Sequence, residues 1–139
     1  MSEAQPVSAH DQSPIDDVIA EQKLIAIVGT DRRDVTLQIG RPYIDGEGVS
    51  RCPVAIWGLD GRLADFVGGS TFNAMNMACG VLGRRLLDYS ASGDVTFYLQ
   101  GSEDEGALSA KFITMTLFGR VMVMHSRKTK LGQSTETHK

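Results

Sequence analysis

The chain has 139 residues, 42% of them hydrophobic and 22% charged, with a formal net charge of -3. That is one domain's worth of sequence, with apolar residues enough for a single core and no need of disulfide or metal staples. The slight acidity argues against a nucleic-acid binder, which usually carries a basic excess, so RNA binding through the basic C-terminal end is disfavoured.

The first residues, MSEAQPVSAHDQSP, lack the basic start and apolar stretch of a signal peptide. No apolar run approaches the ~20 residues that span a bilayer, so no membrane partner and a cytoplasmic location are expected. Residues 1–14 are polar, carry Pro6 and Pro14, and read as a flexible arm. Residues 128–139 read as a disordered tail, which leaves one domain over 15–127.

The first ordered segment, VIAEQKLIAIVG, leads through a turn at Thr30 to Arg33 into DVTLQIG. There Val35, Leu37 and Ile39 alternate with polar residues and mark one face of a strand. The two segments form an antiparallel hairpin. RPYIDGEGVS, with a proline, two glycines and two acids, reads as a loop. A third strand, RCPVAIWGL, places Cys52, Val54 and Ile56 on one face and Ala55 and Trp57 on the other. Pro53 cannot donate to a ladder and belongs near its start or on an edge. Asp60-Gly61 is a turn, after which RLADFVGG returns as a weaker fourth strand.

From Ser70 or Thr71 to about Tyr89 the spacing is helical. Phe72, Met75, Cys79, Leu82, Leu86 and Tyr89 recur at intervals of three and four, with Ala74 and Ala78 widening the stripe. Ser70 or Thr71 caps the start, and Ser90, Ser92 and Gly93 end it. Gly80 and Gly83 point to close packing on a sheet. DVTFYLQ is a fifth strand in which Val95, Phe97 and Leu99 alternate with Thr96, Tyr98 and Gln100, and GSEDEG is an acidic loop. Residues 107–126 admit two readings. Ser102 with Glu105 makes a capping box for a helix, while FITMTLF and VMVMH around Gly119-Arg120 make a hairpin, the preferred form.

IGRP at Ile39 to Pro42, CPVAIWGL at Cys52 to Leu59, and Gly68-Gly69 before FNAMNMA, together with the VIAEQKL opening, resemble a small family of uncharacterised bacterial domains. The resemblance covers about half the chain, from Val18 to Leu87. It implies a shared fold and no function.

Candidate chemistry is sparse. His10 and His138 fall in the terminal segments, and His125 near the domain's end reads as a surface residue. Cys52 and Cys79 form no C-x-x-C pair and read as small buried hydrophobes rather than a disulfide. No metal site and no cofactor are expected. Gly68, Gly69, Ser70 and Thr71 at the helix start form a candidate anion site, since glycine-borne amides and the helix dipole attract phosphate or carboxylate. The segment lacks the rest of a P-loop and any nearby basic residue, so a turn needing positive φ and a cap is preferred. Arg41 and Arg51 are the arginines that the fold would have to deliver there. Convergence of Arg32, Arg33, Arg41 and Arg51 is set against a solvated face paired with Asp31, Asp34 and Asp45. Glu103, Asp104 and Glu105 read as a solvated charge run. Trp57 and Tyr43 are candidate interaction residues.

The expected fold is thus α+β, a mostly antiparallel sheet with one principal helix packed on one face. The expected function is a non-enzymatic binding or protein-interaction module with a protein partner or a second copy, an inhibitor or immunity protein being one form. The alternative is a small-molecule or anion-binding protein, or a minor enzyme, using the Gly68–Thr71 helix start.

Overall fold

The computed structural model describes residues 13–114. Strands β1 (Val18–Val28) and β2 (Asp31–Gly40) form the long hairpin. Its turn is Gly29-Thr30 rather than Thr30–Arg33, so Asp31, Arg32 and Arg33 already pair with Val28, Ile27 and Ala26. Val35 and Leu37 are buried and Ile39 packs against the core, as alternation requires.

The segment expected to be a loop contains a second hairpin. β3 (Tyr43–Ile44) pairs with β4 (Ser50–Cys52). The turn between them closes because Asp45 Oδ1 accepts from the amides of Glu47 and Val49 at 2.8 and 3.0 Å, an Asx turn that the acid and glycine content hid.

The expected third strand is two strands. Pro53 interrupts it, and the chain passes from β4 to β5 (Val54–Trp57), which belongs to a different sheet. The returning arm breaks in register with it, into β6 (Gly61–Arg62) and β7 (Phe66–Gly68). β6 pairs with β5 and β7 with β4, so one bent hairpin crosses both sheets. With β8 (Val95–Leu99), the result is a five-stranded sheet in the order β6-β5-β2-β1-β8 and a three-stranded sheet in the order β3-β4-β7. Every pairing is antiparallel. The fold is α+β, with one main helix, α1 (Thr71–Ser92), packed against both sheets.

The buried line of α1 is Ala74, Ala78, Leu82, Gly83 and Leu86. The expected stripe is therefore rotated in its first turns. Phe72 is 69% exposed, and the two alanines sit at the centre of contact rather than at its margin. Small side chains win there because the helix approaches β7 closely: a Cβ on Gly68 would lie within 2.6 Å of the Ala74 Cα. Gly93, at φ 84°, ends the helix in the left-handed conformation that glycine adopts without penalty. Toward that end Tyr89 meets Phe97 edge-on at 6.5 Å, fixing the helix to β8.

On the face of the larger sheet turned away from α1, Trp57 is half-buried and donates from Nε1 to Gln38 Oε1 at 2.9 Å. Gln38 in turn donates to Glu21 at 3.0 Å, a polar ladder across three strands. After β8, Ser102 makes no side-chain cap, and Glu103–Glu105 form only a 3₁₀ turn. Helical structure begins instead at α2 (Ala110–Phe112), capped by Ser109. Phe112 is therefore not the first residue of a strand. Ile113 and Thr114 continue the helical turn, and residues 115–126 of the expected hairpin lie outside the described residues.

Leu82, central to the buried line, should cost about 2–5 kcal/mol when cut to alanine, by lost burial plus a cavity. Phe72→Ala and Arg84→Ala should each cost under about 1 kcal/mol. Denaturant melts of the three variants check the rotated face, and a Phe72→Ala loss equal to that of Leu82→Ala would restore the original stripe.

Candidate functional site

The helix start is a self-contained cap. Ser70 Oγ accepts from the Asn73 amide at 3.0 Å, and Asn73 Oδ1 accepts from the Gly69 amide at 2.8 Å. Each side chain satisfies the other's end of the turn, as in a capping box. Neither Gly68 nor Gly69 has positive φ. Gly68 is glycine because of close approach to α1, not because of backbone handedness. The amides that an anion would need at Gly69 and Asn73 are engaged by the chain itself.

The arginines do not converge. Arg32 pairs with Glu103 at 3.2 Å and Arg33 with Asp31 at 3.0 Å, both at the turn end of the long hairpin. Arg41 follows the far end of β2, roughly 25–30 Å away at a strand's rise per residue, and pairs with Asp17 at 2.7 Å. Arg51 pairs with Asp45 at 2.7 Å across the β3–β4 hairpin. Two of the three expected acids, Asp31 and Asp45, take arginines. Glu103 does so as well, which its place in an acidic run gave no reason to expect.

What the fold does assemble is a cleft of about 380 Å³ where the two sheets part. Its walls are Ile15, Asp16 and Asp17 on one side, Arg41 and Tyr43 after β2, Pro53 at the crossing, Arg62 at the end of β6, and Asp65 just before β7. Asp65 is the hub. It accepts from the Tyr43 hydroxyl at 2.6 Å and from Arg62 Nη2 at 3.0 Å. The Tyr43 hydroxyl is raised above its ordinary value, chiefly because its proton is held by the Asp65 carboxylate and then by burial. Arg62, with its side chain 17% exposed, also donates Nη1 to the carbonyls of Pro14 at 3.1 Å and Ser13 at 3.4 Å. Ile15, Asp17, Arg62 and Asp65 carried no motif. Only the register of two broken strands brings them to Arg41 and Tyr43.

Several apolar residues near this end are exposed. Val18 pairs with Gly40, one residue before Arg41, and the bulge after it leaves Ile19 unpaired. Tyr43, Arg51 and Val67 form one row across the three-stranded sheet, and Ile44 lies next to Tyr43 on its edge. Val18, Ile19, Tyr43, Ile44 and Val67 are all exposed, Ile44 by 63%.

The thiols are poorly suited to nucleophilic work. Burial pushes Cys52 up to about 11, with Cys79 and Asp65 adding to it, and burial also raises Cys79. Both are free, and Cys52 Sγ donates to the Gly40 carbonyl at 3.5 Å. Among the described residues there is no group of three or more potential metal ligands and no helix long and apolar enough to cross a membrane. The three histidines lie outside the described residues.

No family model, curated protein or solved structure matches the chain. The resemblance drawn from IGRP, CPVAIWGL and FNAMNMA thus rests on those residues alone.

Two expectations follow. Gly68→Ala should be strongly destabilising, because its Cβ falls on the Ala74 backbone, whereas Gly69→Ala meets nothing nearer than Asn73 Oδ1 at 4.0 Å. Thermal melts should separate them clearly, and equal melts would contradict the close approach. The second concerns Asp45, held down to about 2 first by the Arg51 hydrogen bond and then by the Val49 and Glu47 amides. A folded value below the unfolded one means stability present above about 3.8 and lost as pH falls toward 2. A carboxyl NMR titration should place the Asp45 midpoint near 2, and an ordinary midpoint would mean that neither the Arg51 pair nor the Asx turn holds.

Proposed function

We propose that the chain is a non-enzymatic interaction module whose contact surface is the cleft end. The observation that supports this most is exposed Tyr43 in the wall of a cleft whose arginines are held by carboxylates, in one row with exposed Val67, with Val18, Ile19 and Ile44 exposed on the neighbouring strand ends. Exposed apolar groups rimmed by polar ones mark interaction sites. Aromatic residues such as Tyr43 supply contact area at little entropic cost. The rival reading, a ligand or a minor enzymatic site at the helix start, is disfavoured because the Gly69 and Asn73 amides are engaged. Self-association through the face of the larger sheet turned away from α1 is disfavoured as well. Glu21, Lys23, Thr36 and Gln38 line that face, and Ile25 and Ala55 within it are already buried.

Capture from native lysate with three forms of the chain tests the reading. Wild type and Arg84→Ala should retain the same partner, and the exposed-site variant Ile44→Asp/Val67→Asp should lose it at least tenfold while staying folded. Equal retention by all three would place the contact elsewhere. A captured second copy, lost in the same variant, would make the partner the chain itself.

A further inference from the structure

Residues 13–17 form a strap that crosses the cleft end without joining either sheet, and it is held as a bound peptide is held. Arg62 Nη1 donates to two successive backbone carbonyls, those of Ser13 and Pro14. The one apolar residue of the strap that is buried, Ile15 at 7% exposed, sits on a floor of Gly40 and Pro53. That floor has no room to spare, since a Cβ on Gly40 would come within 2.6 Å of Ile15 Cγ2 and 2.8 Å of Pro53 Cγ. Asp17 accepts at its carbonyl from the Arg41 amide at 2.8 Å and at its carboxylate from Arg41 Nε at 2.7 Å. Main-chain bonds from a fixed donor combine with one side-chain seat and one charge contact, which is how extended peptides are recognised.

Two further observations bear on this. Among the described residues the strap does not fill its groove, and a cleft of about 380 Å³ lies between it and the Tyr43–Asp65 wall. Its hold is also slight. Beyond Ile15 it is tied by two Arg62 bonds to carbonyls, one bond from the Arg41 amide and an ion pair whose two side chains are 65% and 60% exposed, and segments held by so few contacts open locally.

Resting on the interaction reading above, we propose that the Gly40–Pro53–Arg62 groove is a peptide-binding site occupied in cis by the chain's own strap. The partner engages it by inserting an extended segment of the same chemistry, an aliphatic residue followed two positions later by an acid. The strap is then an internal competitor, and the partner's affinity is set by how often it lifts.

The test uses the full chain and a fluorescent heptapeptide copying residues 13–19, SPIDDVI. Full-length Ile15→Asp, which weakens the strap in cis, should bind the peptide at least tenfold more tightly than wild type. A peptide with its isoleucine replaced by aspartate should not bind. Equal binding by the two chains, or indifference to the peptide's isoleucine, overturns the proposal. So does an Ile15→Asp chain that circular dichroism finds unfolded, for the strap is then part of the core. Hydrogen exchange on wild type gives an independent measure. The Arg41 amide, bonded to Asp17, should exchange at least a hundredfold faster than the Leu37 amide, and matching rates overturn the proposal. Failure here with the Ile44→Asp/Val67→Asp effect intact removes the peptide groove and leaves the interaction surface. Loss of that effect with peptide binding intact does the reverse.

Discussion

Two strands lie closer at Gly40 and Pro53 than a side chain on Gly40 would allow. The Gly40 amide donates to the Pro53 carbonyl at 2.8 Å, and the Cys52 thiol donates to the Gly40 carbonyl. Pro53 has no amide of its own to give, so the strand cannot run straight through it, and the chain changes sheets at that residue. From this one contact follow the parting of the two sheets, the bend of the β4–β7 hairpin, the seat of Ile15, and the cleft. The helix then closes the other side of both sheets, and glycine at 68 with alanine at 74 and 78 lets it lie close enough to do so.

Charge works on this frame mainly as orientation. Exposed pairs such as Arg41–Asp17 and Arg33–Asp31 contribute about 0–1 kcal/mol each. Arg62–Asp65 differs, with side chains only 17% and 19% exposed and Tyr43 sharing the carboxylate. Removing one member would leave a partly desolvated charge without its partner, which costs far more than an exposed pair. Asp60 plays a similar part at the opposite corner. It joins the β5–β6 turn to the helix through Arg85 at 2.8 Å and through the Tyr89 hydroxyl, while the Arg85 guanidinium lies over the Tyr89 ring at 5.5 Å.

Local signals were readable wherever a segment obeyed one period. Val35-Leu37-Ile39 and Val95-Phe97-Leu99 alternate and form strands, and the stripe from Leu82 to Leu86 is buried as its spacing requires. The α+β class followed from those elements. What sequence did not reveal depends on contacts between distant segments. Phe72 fits the helical stripe by spacing, yet the closeness of Gly68 turns Ala74 inward and Phe72 out. Tyr43 and Arg41 stood out as residue types, but nothing in their neighbourhood announces Ile15, Arg62 and Asp65, which reach them only through strand register. The glycine-rich helix start drew notice because its composition imitates a phosphate loop. Two of its amides, Asn73 and Gly69, are taken by Ser70 and Asn73, a use that composition alone does not distinguish.

The most direct measurement is on Gly40. Gly40→Ala adds a single methyl group where Ile15 and Pro53 leave no space, and overpacking of this kind costs typically about 1–3 kcal/mol. If the Gly40–Pro53 contact organises the cleft end, the variant should melt lower by that amount. Its amide shifts should move at Ile15, Asp17, Arg41 and Arg62 while Val95 to Leu99 stay in place. A chain that melts like wild type with the Ile15 and Arg62 shifts unmoved would contradict the account.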